Sequence, residues 1–467
     1  MSQKLTKIVA TLGPASDSPE TIEELINAGV NVFRFNTKHG TPEWHEERIK
    51  RVQEVADRIG KSIGILLDLQ GPEIRVETKN QEDVRVPANE PVILSHQFDE
   101  GVSLVIPEKI IFENLQIGDR FFIDDGRISL EVISKEGERI GIKSEKDIVI
   151  THRKGVNMPD KTLDLPSLVE SDLRQLDMAS LNKVDFIALS FVRDTRDVDA
   201  LREEVSKRNI NAQIVLKIEN RTALQNLDSL IEAGDAIMVA RGDMGIEVAI
   251  EEIAYWQKMI IDKCRNAHKA VITATEMLDS MMRQERPTRA EATDVSNAVF
   301  DGTDAVMLSG ETASGQYPVE SVETMARIAE FTESKLDIAM VDTEAMDMTQ
   351  LICVAAMEMV INEGVVVDKI VVFSHTGYTS RVISSFRPNV PILTVTDSQK
   401  TVETLELSYA VYGQKFDFQD DEIVSPTRIV EELMERGLIE KNEAVLVIHG
   451  ARWKTPGLTN SITLVTA

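Results

Sequence analysis

The sequence predicts an α/β protein built on a (β/α)8 TIM barrel, with a small β-barrel-like lid domain inserted in it and a C-terminal α/β domain. Three observations predict this fold. Eight short apolar runs alternate with helical patterns, a stretch with period-two alternation separates the third run from the fourth, and five further strand-like runs follow the eighth. Continuous apolar strands are typical of parallel sheets that are buried on both faces.

The eight runs are rich in β-branched residues and cover residues 7–13, 30–36, 62–69, 184–191, 213–219, 235–240, 270–276 and 304–310. Between them, residues 21–28 and 42–59 have the apolar spacing of amphipathic helices. Ser167 and Glu170 have the spacing of a capping box before the fourth strand. Eight such units favour a closed barrel, and a doubly wound open sheet is the alternative.

The segment between the third and fourth runs has turn signals at Asp124–Gly126 and Glu136–Glu138. Residues 120–133 between and around these signals predict a β-hairpin. Loops at the C-terminal end of barrel strands surround the active site, so we expect an insertion there to act as a lid.

The C-terminal region begins with a predicted helix near residues 348–363. Strand-like runs follow at residues 369–375, 391–397, 413–418, 444–450 and 461–467. We therefore predict a barrel domain formed by residues 1–72 and 162–343, a lid domain at 73–161 and an α/β domain at 344–467.

Composition restricts the possible partners. The chain of 467 residues has a formal net charge of −27, which repels nucleic acid and anionic membranes. Its two cysteines, Cys264 and Cys353, form no CxxC pair, so we expect no disulfide framework. The N-terminus lacks the core of a signal peptide, and no apolar run approaches the ~20 residues that span a bilayer. These features predict a cytoplasmic protein without nucleic-acid or membrane partners.

Polar residues stand at the ends of seven of the eight apolar runs. In a barrel these ends meet at the active-site face. The residues are Arg34, Asn36, Asp68, Ser190, Lys217, Glu219, Gly242, Asp243, Thr275, Ser309 and Glu311. The alternative is that these residues have only structural roles, in capping and ion pairing. In that case Lys217 and Glu219 would form a buried ion pair.

The residue types suit phosphoryl transfer. Glu219 and Asp243 offer hard carboxylate ligands for a divalent cation that keeps part of its hydration. Arg34 and Lys217 can neutralise a phosphoryl group during transfer. Residues 248–264, which follow the Gly242 segment, predict a helix, and the amides near its start can hold an anionic carboxylate.

Several longer motifs resemble the signatures of the pyruvate kinase family, in its order and spacing. They include KIVATLGPAS, NVFRFNTKHG, LLDLQGPEIR, LKIEN, IMVARGDMGIE, PTRAEATDVSNAV and DAVMLSGETASGQYP. The resemblance implies transfer of the phosphoryl group of phosphoenolpyruvate to ADP, giving pyruvate and ATP, the last step of glycolysis. It also implies Mg2+, which Mn2+ can replace, and a homotetramer.

The resemblance assigns roles to individual residues. It makes Glu219 and Asp243 the Mg2+ ligands. Ser190, with Arg34 and Lys217, would contact the phosphoryl group. The amides of Gly242 and Asp243 would hold the carboxylate with the Thr275 hydroxyl. Thr275, Ser309 and Glu311 would belong to the relay that protonates the enolate. The nucleotide would lie against Pro14, Asn36, His39, Arg75 and Lys154, with Arg75 and the Asp124–Asp125 turn closing over its phosphates.

A hydroxyl-rich turn follows the first strand of the C-terminal domain. It contains Ser374, Thr376, Gly377, Thr379, Ser380 and Arg381. Such a turn can hold a phosphate, and the family's matching loop binds a phosphorylated effector, so we expect a sugar phosphate or nucleotide there. Arg452, Trp453 and Lys454 would complete the pocket. An ordinary strand-to-helix turn is the alternative.

Three residues depart from the family pattern: Lys38 replaces Ser, Glu276 replaces Gln, and Ser314 replaces Lys. Most members hold K+ with an Asn, a Ser, an Asp and a carbonyl. Asn36, Asp68 and the Leu69 carbonyl remain, and we expect the ammonium of Lys38 to fill this cation site beside Asp68. K+ is then not required, although Glu73 is the residue of K+-dependent members.

Two other functions stay open at this point. One is a catalytically weakened, phosphate-sensing homologue, which the three departures allow. The other is a lyase or aldolase on the same barrel.

Overall fold

The computed structural model describes residues 4–124, 126–159, 161, 163–336, 347–362, 364–419, 422–453 and 459–467. Its largest sheet is a closed barrel of eight parallel strands, so the open-sheet alternative is wrong. Around the barrel, the first strand pairs with the eighth and the second, and the third pairs with the fourth. The strands are Lys7–Thr11, Val32–Asn36, Gly64–Asp68, Phe186–Leu189, Gln213–Ile218, Ala236–Ala240, Ala270–Ala274 and Ala305–Leu308. All eight predicted strands are confirmed.

Helices surround this barrel and bury their apolar faces against the outer side of the strands. They are Pro19–Ala28, Pro42–Ile59, Glu170–Ser180, Thr195–Lys207, Arg221–Gln225, Leu227–Ala233, Arg241–Glu247, Ile253–Asn266, Arg289–Phe300, Gly310–Ala313 and Pro318–Glu333. Short 3-10 turns cover Ile250–Glu252 and Asp279–Met282.

The predicted capping box of Ser167 and Glu170 is wrong, because the helix begins at Glu170 after Val169. The Val169 N–H donates to the Asp172 carboxylate at 3.0 Å, and the Gln70 N–H donates to the same side chain at 2.9 Å. Asp172 therefore caps this helix and also holds the loop that leaves the third barrel strand.

The insert forms a second closed barrel of seven strands with its own apolar core. The predicted hairpin is confirmed, with Ile123 paired to Ile128 and Arg120 paired to Glu131. The seven strands of this barrel are Arg75–Thr78, Val92–Ser95, Leu104–Val105, Arg120–Ile123, Ile128–Glu136, Arg139–Lys143 and Lys154–Asn157. Two further strands of the insert, Val84–Val86 and Ile148–Ile150, form a separate two-stranded sheet. Its helical segments are Lys79–Gln81 and Lys109–Asn114.

The C-terminal domain contains a five-stranded sheet with apolar clusters on both faces. Its strands are Lys369–Phe373, Ile392–Thr396, Val411–Lys415, Ala444–His449 and Ser461–Thr466, as predicted. The last strand runs antiparallel to its neighbour and the others are parallel. The helical segments are Met348–Ile361, Tyr378–Ser385, Gln399–Thr404, Leu405–Leu407 and Pro426–Glu435.

The C-terminal domain packs against the N-terminal ends of the barrel strands. Lys7, at the start of the first strand, donates to the Val411 carbonyl at 2.5 Å, and Asp304 accepts the Tyr409 N–H at 3.0 Å. The opposite end of the barrel therefore stays free to face the insert.

The predicted domain limits at residues 72 and 161 remain predictions, and the limit at residue 343 lies outside the described residues. Both cysteines are buried as free thiols. Among the described helices, none has the length and apolar character to cross a membrane.

Candidate active site

Four buried charged side chains meet at the C-terminal ends of the second, third and fifth barrel strands. Arg34 Nε donates to Asp68 Oδ2 at 2.7 Å. Lys217 Nζ lies 2.7 Å from Glu219 Oε1 and 3.3 Å from Asp68 Oδ1, and it donates to Ser190 Oγ at 2.8 Å. The parallel register places Asn36 opposite Asp68 and so aligns these strand ends. The structure thus brings together residues that are far apart in sequence.

The pKa values of this cluster reflect burial and mutual attraction. Burial opposes the charge of Lys217, but the carboxylates of Asp68 and Glu219 outweigh it and raise the lysine's pKa. Burial likewise opposes ionisation of Asp68, and Lys217 and Arg34 nonetheless lower its pKa. For Glu219, burial dominates, and its pKa rises to about 7.

Glu219 has an incomplete set of partners. Its Oε2 accepts the Phe191 N–H at 2.6 Å, while its buried Oε1 lies beside Lys217 without hydrogen-bond geometry. An unbonded carboxylate oxygen in a buried site is costly. Asp243 stands at the end of the next barrel strand, and its charge further raises the pKa of Glu219. A divalent cation between the two carboxylates would relieve both effects, so the residues fit one.

Within the described residues, no group of three or more His, Cys, Asp or Glu side chains is placed to hold a metal ion. A cation at Glu219 and Asp243 therefore needs further oxygen ligands from a substrate or water. This requirement matches the partly hydrated site predicted from the sequence.

The predicted carboxylate-binding groups are bonded to each other. The Gly242 N–H donates to Thr275 Oγ1 at 2.7 Å, and the Thr275 hydroxyl donates to the Ala274 carbonyl at 2.6 Å. The helix here begins at Arg241. This short helix precedes the helix predicted over residues 248–264, which the structure forms as Ile253–Asn266. The Gly242 and Asp243 amides belong to the first turn of the short helix.

Glu311 links the ends of the last two barrel strands. Its buried carboxylate accepts the N–H of Ser309 at 2.8 Å and the N–H of Leu278 at 3.0 Å. Burial raises its pKa. Ser309, Glu311 and Thr275 therefore lie on one side of the mouth, around the ends of the seventh and eighth strands.

A cleft with a volume of about 140 Å³ lies between the insert and the barrel mouth. Asp243 and Lys38 line it from the barrel, and Gly155 and Met158 line it from the insert. This position agrees with the role of a lid.

Two residues of the cleft were not predicted from the sequence. Phe191 has a positive φ of 55° and presents its N–H to Glu219. Asn220 caps the following helix and donates to the Val192 carbonyl at 2.9 Å. Asn220 has a sequence signal, because it follows a strand end directly, but Phe191 resembles any apolar strand residue.

The predicted nucleotide residues belong partly to the barrel and partly to the insert. Pro14 and His39 are exposed on barrel loops. In the insert, Arg75 pairs with Glu73 at 2.6 Å. Lys154 pairs with Asp124 at 2.6 Å. Asp125 lies outside the described residues.

The oxygens expected to bind a monovalent cation have protein partners. Asn36 Oδ1 accepts the Lys38 N–H at 3.2 Å, and the Leu69 carbonyl accepts the Ser190 hydroxyl at 2.7 Å. Asp68 is engaged by Arg34 and Lys217 as described above. The Lys38 ammonium lies 5.4 Å from the centre of the Phe191 ring. The ion pairs of Asp68 in the described structure are with Arg34 and Lys217. The filling of the cation site by Lys38 stays a prediction.

The hydroxyl-rich turn of the C-terminal domain is less open than the sequence predicts. Gly377 has a φ of 78° and precedes the helix Tyr378–Ser385. Ser380 is fully buried and accepts from Thr394 at 2.7 Å, and the buried Thr379 contacts Thr459. Their hydroxyls are therefore used in packing.

The remaining predicted effector residues are distributed around this turn. Thr376 is exposed, and Ser374 is buried. Arg381 donates to the Thr376 carbonyl at 3.3 Å. Trp453 is buried and donates to Asp397, while Lys454 lies outside the described residues.

Comparison with known proteins covers nearly the whole chain. A family model described as the pyruvate kinase barrel domain matches residues 3–322, and one described as the pyruvate kinase alpha/beta domain matches residues 350–465. A pyruvate kinase from Bacillus licheniformis is 40% identical over 96% of this chain and 78% of its own. One from Clostridium acetobutylicum is 37% identical over 98% of both chains.

A solved structure agrees with these sequence matches. The crystal structure of a pyruvate kinase from Cryptosporidium parvum superposes with a TM-score of 0.92 at 32% identity, covering 99% of this chain and 96% of that one. Fold, strand-end chemistry and sequence similarity therefore agree along the same residues. The chain belongs to the pyruvate kinase family, whose members transfer the phosphoryl group of phosphoenolpyruvate to ADP.

Proposed function

We propose that the barrel mouth carries out both steps of this reaction, phosphoryl transfer and protonation of the enolate, with the residue roles expected from the sequence. The position of Lys217 is the observation that most supports this proposal. Its buried ammonium lies between two carboxylates, donates to Ser190 and stands beside the unbonded oxygen of Glu219. A fixed cation in a buried site stabilises developing negative charge with little reorganisation.

In the transfer step, Arg34 and Lys217 neutralise the phosphoryl oxygens while Ser190 orients the lysine. Arg34 is held by Asp68 and also donates to Thr11 Oγ1 at 2.9 Å. These contacts hold the guanidinium in place before substrate binds. Catalysis is then mainly positioning and charge stabilisation, as in other phosphoryl transfers.

Glu219 and Asp243 would hold the divalent cation, for which we propose Mg2+, with Mn2+ able to replace it. When bound, the ion neutralises oxygen charge on the substrate. The chain's own part is to supply two carboxylates on neighbouring strands and to leave the other coordination positions open.

In the protonation step, the Gly242 and Asp243 amides and the Thr275 hydroxyl would hold the substrate carboxylate. Thr275, Ser309 and Glu311 would then pass a proton through water to the enolate carbon. A carbon that readily captures a proton needs a correctly placed donor more than a strong acid. The nucleotide would lie against Pro14, Asn36 and His39, with Arg75 and Lys154 of the insert closing over its phosphates.

We also propose that K+ is not required. The Lys38 ammonium carries a single positive charge on a flexible stem, and it favours the ionised form of Glu219. Activity with tetramethylammonium at fixed ionic strength should be substantial, and Lys38→Ser should gain K+ activation. Strong K+ activation of the unchanged protein would contradict this proposal.

An effector site on the part of this turn formed by Ser374, Thr376, Gly377 and Arg381 is a second proposal, which leaves out the packed hydroxyls of Thr379 and Ser380. A phosphorylated metabolite bound there should shift phosphoenolpyruvate affinity by about 1–3 kcal/mol. Sugar phosphates and nucleotides should be screened against the unchanged protein and Arg381→Ala. An effector that acts equally on both proteins does not use this turn.

We further infer a homotetramer and a cytoplasmic location. Large apolar side chains are exposed on the barrel at Ile250, Tyr255 and Phe331 and on the C-terminal domain at Met348 and Leu351. Exposed apolar side chains on both domains suit an assembly with interfaces on each of them. Sedimentation of a monomer at working concentration would exclude the tetramer.

One assay tests the main proposal: pyruvate formation from phosphoenolpyruvate, coupled to a lactate dehydrogenase readout, with and without ADP. ADP-dependent turnover is expected. Binding of phosphoenolpyruvate without turnover would indicate the phosphate-sensing alternative. Cleavage or release of pyruvate without ADP would favour a lyase or aldolase.

A further inference from the structure

Two consecutive residues after the seventh barrel strand adopt left-handed backbone conformations. Thr275 has a φ of 73° and Glu276 a φ of 54°. Positive φ is uncommon for residues other than glycine, and for a β-branched residue it is a genuine outlier. Surrounding groups must therefore hold the backbone at Thr275, a residue to which we assign both carboxylate binding and proton delivery.

The Arg241 guanidinium provides that hold. Its Nη2 donates to the Thr275 carbonyl at 2.6 Å, and its Nε donates to the Ala274 carbonyl at 3.2 Å. The two carbonyls flank the Thr275 residue, so one rigid planar group binds the backbone on both sides of it. A lysine in this place would offer a single charged nitrogen instead of this fork.

Arg241 is itself anchored from the other side. Its Nη1 donates to Asp294 at 2.8 Å and to Gln257 Oε1 at 3.2 Å. Asp294 belongs to the helix Arg289–Phe300 and Gln257 to the helix Ile253–Asn266. The arginine side chain is only 10% exposed. Its geometry is therefore fixed by two long helices of the barrel.

This anchoring affects the Thr275 hydroxyl directly. The hydroxyl accepts the N–H of Gly242, the neighbour of Arg241, and donates to the same Ala274 carbonyl that Arg241 binds. If the arginine moved, the Ala274 carbonyl would lose a hydrogen bond, and Thr275 and Glu276 would no longer be held in their left-handed conformations. The hydroxyl direction therefore depends on a side chain that does not face the cleft.

We propose that Arg241 is a positioning residue for the protonation step, acting through Thr275. The proposal rests on the proton-delivery role assigned to Thr275 above. In that step the enolate carbon gains a proton as its C–H bond forms, and the hydroxyl–water chain loses one proton and regains it from solvent. Arg241 takes no part in this exchange and only fixes the hydroxyl that does.

A double-mutant cycle of Arg241→Met and Thr275→Val tests this dependence. The readout of proton transfer is exchange of the pyruvate methyl protons in D2O, followed by NMR with Mg2+ and ATP present. The readout of the other step is single-turnover ATP formation from phosphoenolpyruvate and ADP. We expect Arg241→Met to slow exchange by about 100-fold, the loss typical of a misplacement of roughly 1 Å. ATP formation should slow by much less.

In the Thr275→Val background, Arg241→Met should cause little further loss, because residues that act as a unit are not additive. Equal slowing of both readouts by Arg241→Met, or full additivity in the double variant, would overturn the proposal. Normal exchange in Thr275→Val alone would instead remove Thr275 from proton delivery, which is a failure of the proposed function.

Two further variants separate positioning from loss of folding. Lys258→Met removes an ion pair with Asp301 between the same two helices, without touching Thr275, and should leave both readouts unchanged. Asp294→Asn keeps the size of the anchor but weakens its hold on Arg241, and should slow exchange in the same direction as Arg241→Met. Unchanged exchange in Asp294→Asn and Arg241→Lys would also overturn the proposal.

Discussion

Both ends of the barrel bury charged residues, yet one end is the candidate active site and the other end holds the C-terminal domain. At the mouth, Lys217 and Glu219 have side chains that are 7% and 1% exposed. At the base, Lys7 and Glu406 are 0% and 8% exposed. Burial and charge alone therefore do not separate a catalytic cluster from a structural one.

The difference lies in how completely each charge is bonded. At the base, Lys7 donates to the Val411 carbonyl and lies 4.1 Å from the centre of the Tyr412 ring. Asp304 accepts from Tyr409, Val271 and Arg387. At the mouth, Glu219 Oε1 lies 2.7 Å from Lys217 but without hydrogen-bond geometry, and the neighbouring Asp243 lines an open cleft.

Buried polar atoms without hydrogen bonds also occur at the base, as at Thr6. The open cleft therefore distinguishes the mouth from the base better than burial or ion pairing does. The base uses its charges to hold the C-terminal domain on the barrel. The mouth leaves part of its bonding capacity for a ligand.

The largest expected effect is on Lys217. Replacing it with Met removes the cation at the reacting phosphoryl group, so we expect kcat to fall by about 10³-fold while binding of Mg2+ and phosphoenolpyruvate stays measurable. Steady-state kinetics and calorimetric binding test this. Near-normal turnover would remove Lys217 from the mechanism.

Lys7→Met is the matched change at the base. It leaves Glu406 buried without its cation, so we expect a loss of about 3–5 kcal/mol in unfolding free energy. Activity per folded molecule should not change. Thermal unfolding and active-site titration measure the two quantities, and a lower kcat with normal stability would show that the base contributes to catalysis.

The smallest effect is expected from Glu219→Gln. The amide keeps the shape of the site but removes one anionic ligand, so the apparent affinity for Mg2+ should fall by roughly tenfold or more. Thermal stabilisation by Mg2+ gives this affinity without relying on turnover. Lys7→Met serves as the control, because its Mg2+ response should match that of the unchanged protein. An unchanged response in Glu219→Gln would break the ligand assignment.

Much of the fold was predictable from local patterns. Eight apolar runs correspond to eight parallel strands, and the hairpin around Asp124 to Gly126 follows from alternation and turn residues. The capping box at Ser167 was wrong because a tertiary partner, Asp172, caps that helix and binds the loop at Gln70 at the same time. Local spacing carries no information about such a second contact.

Site prediction had the same limit. Arg34, Lys217 and Glu219 were found because polar residues at strand ends converge in any closed parallel barrel. The burial of Thr379 and Ser380 was missed because their partners lie elsewhere in the sequence, Thr459 before the last strand and Thr394 on the strand Ile392–Thr396.

By itself, the sequence determined the positions of the strands, the inserted domain and the set of charged residues at the barrel mouth, because period and residue type act over a few neighbouring positions. Only the tertiary structure decided which hydrogen-bond partners each buried charge has. It also decided that Arg241 binds the backbone carbonyls on both sides of Thr275. The physical reason is that hydrogen-bond satisfaction depends on three-dimensional neighbours, which packing of distant segments brings together.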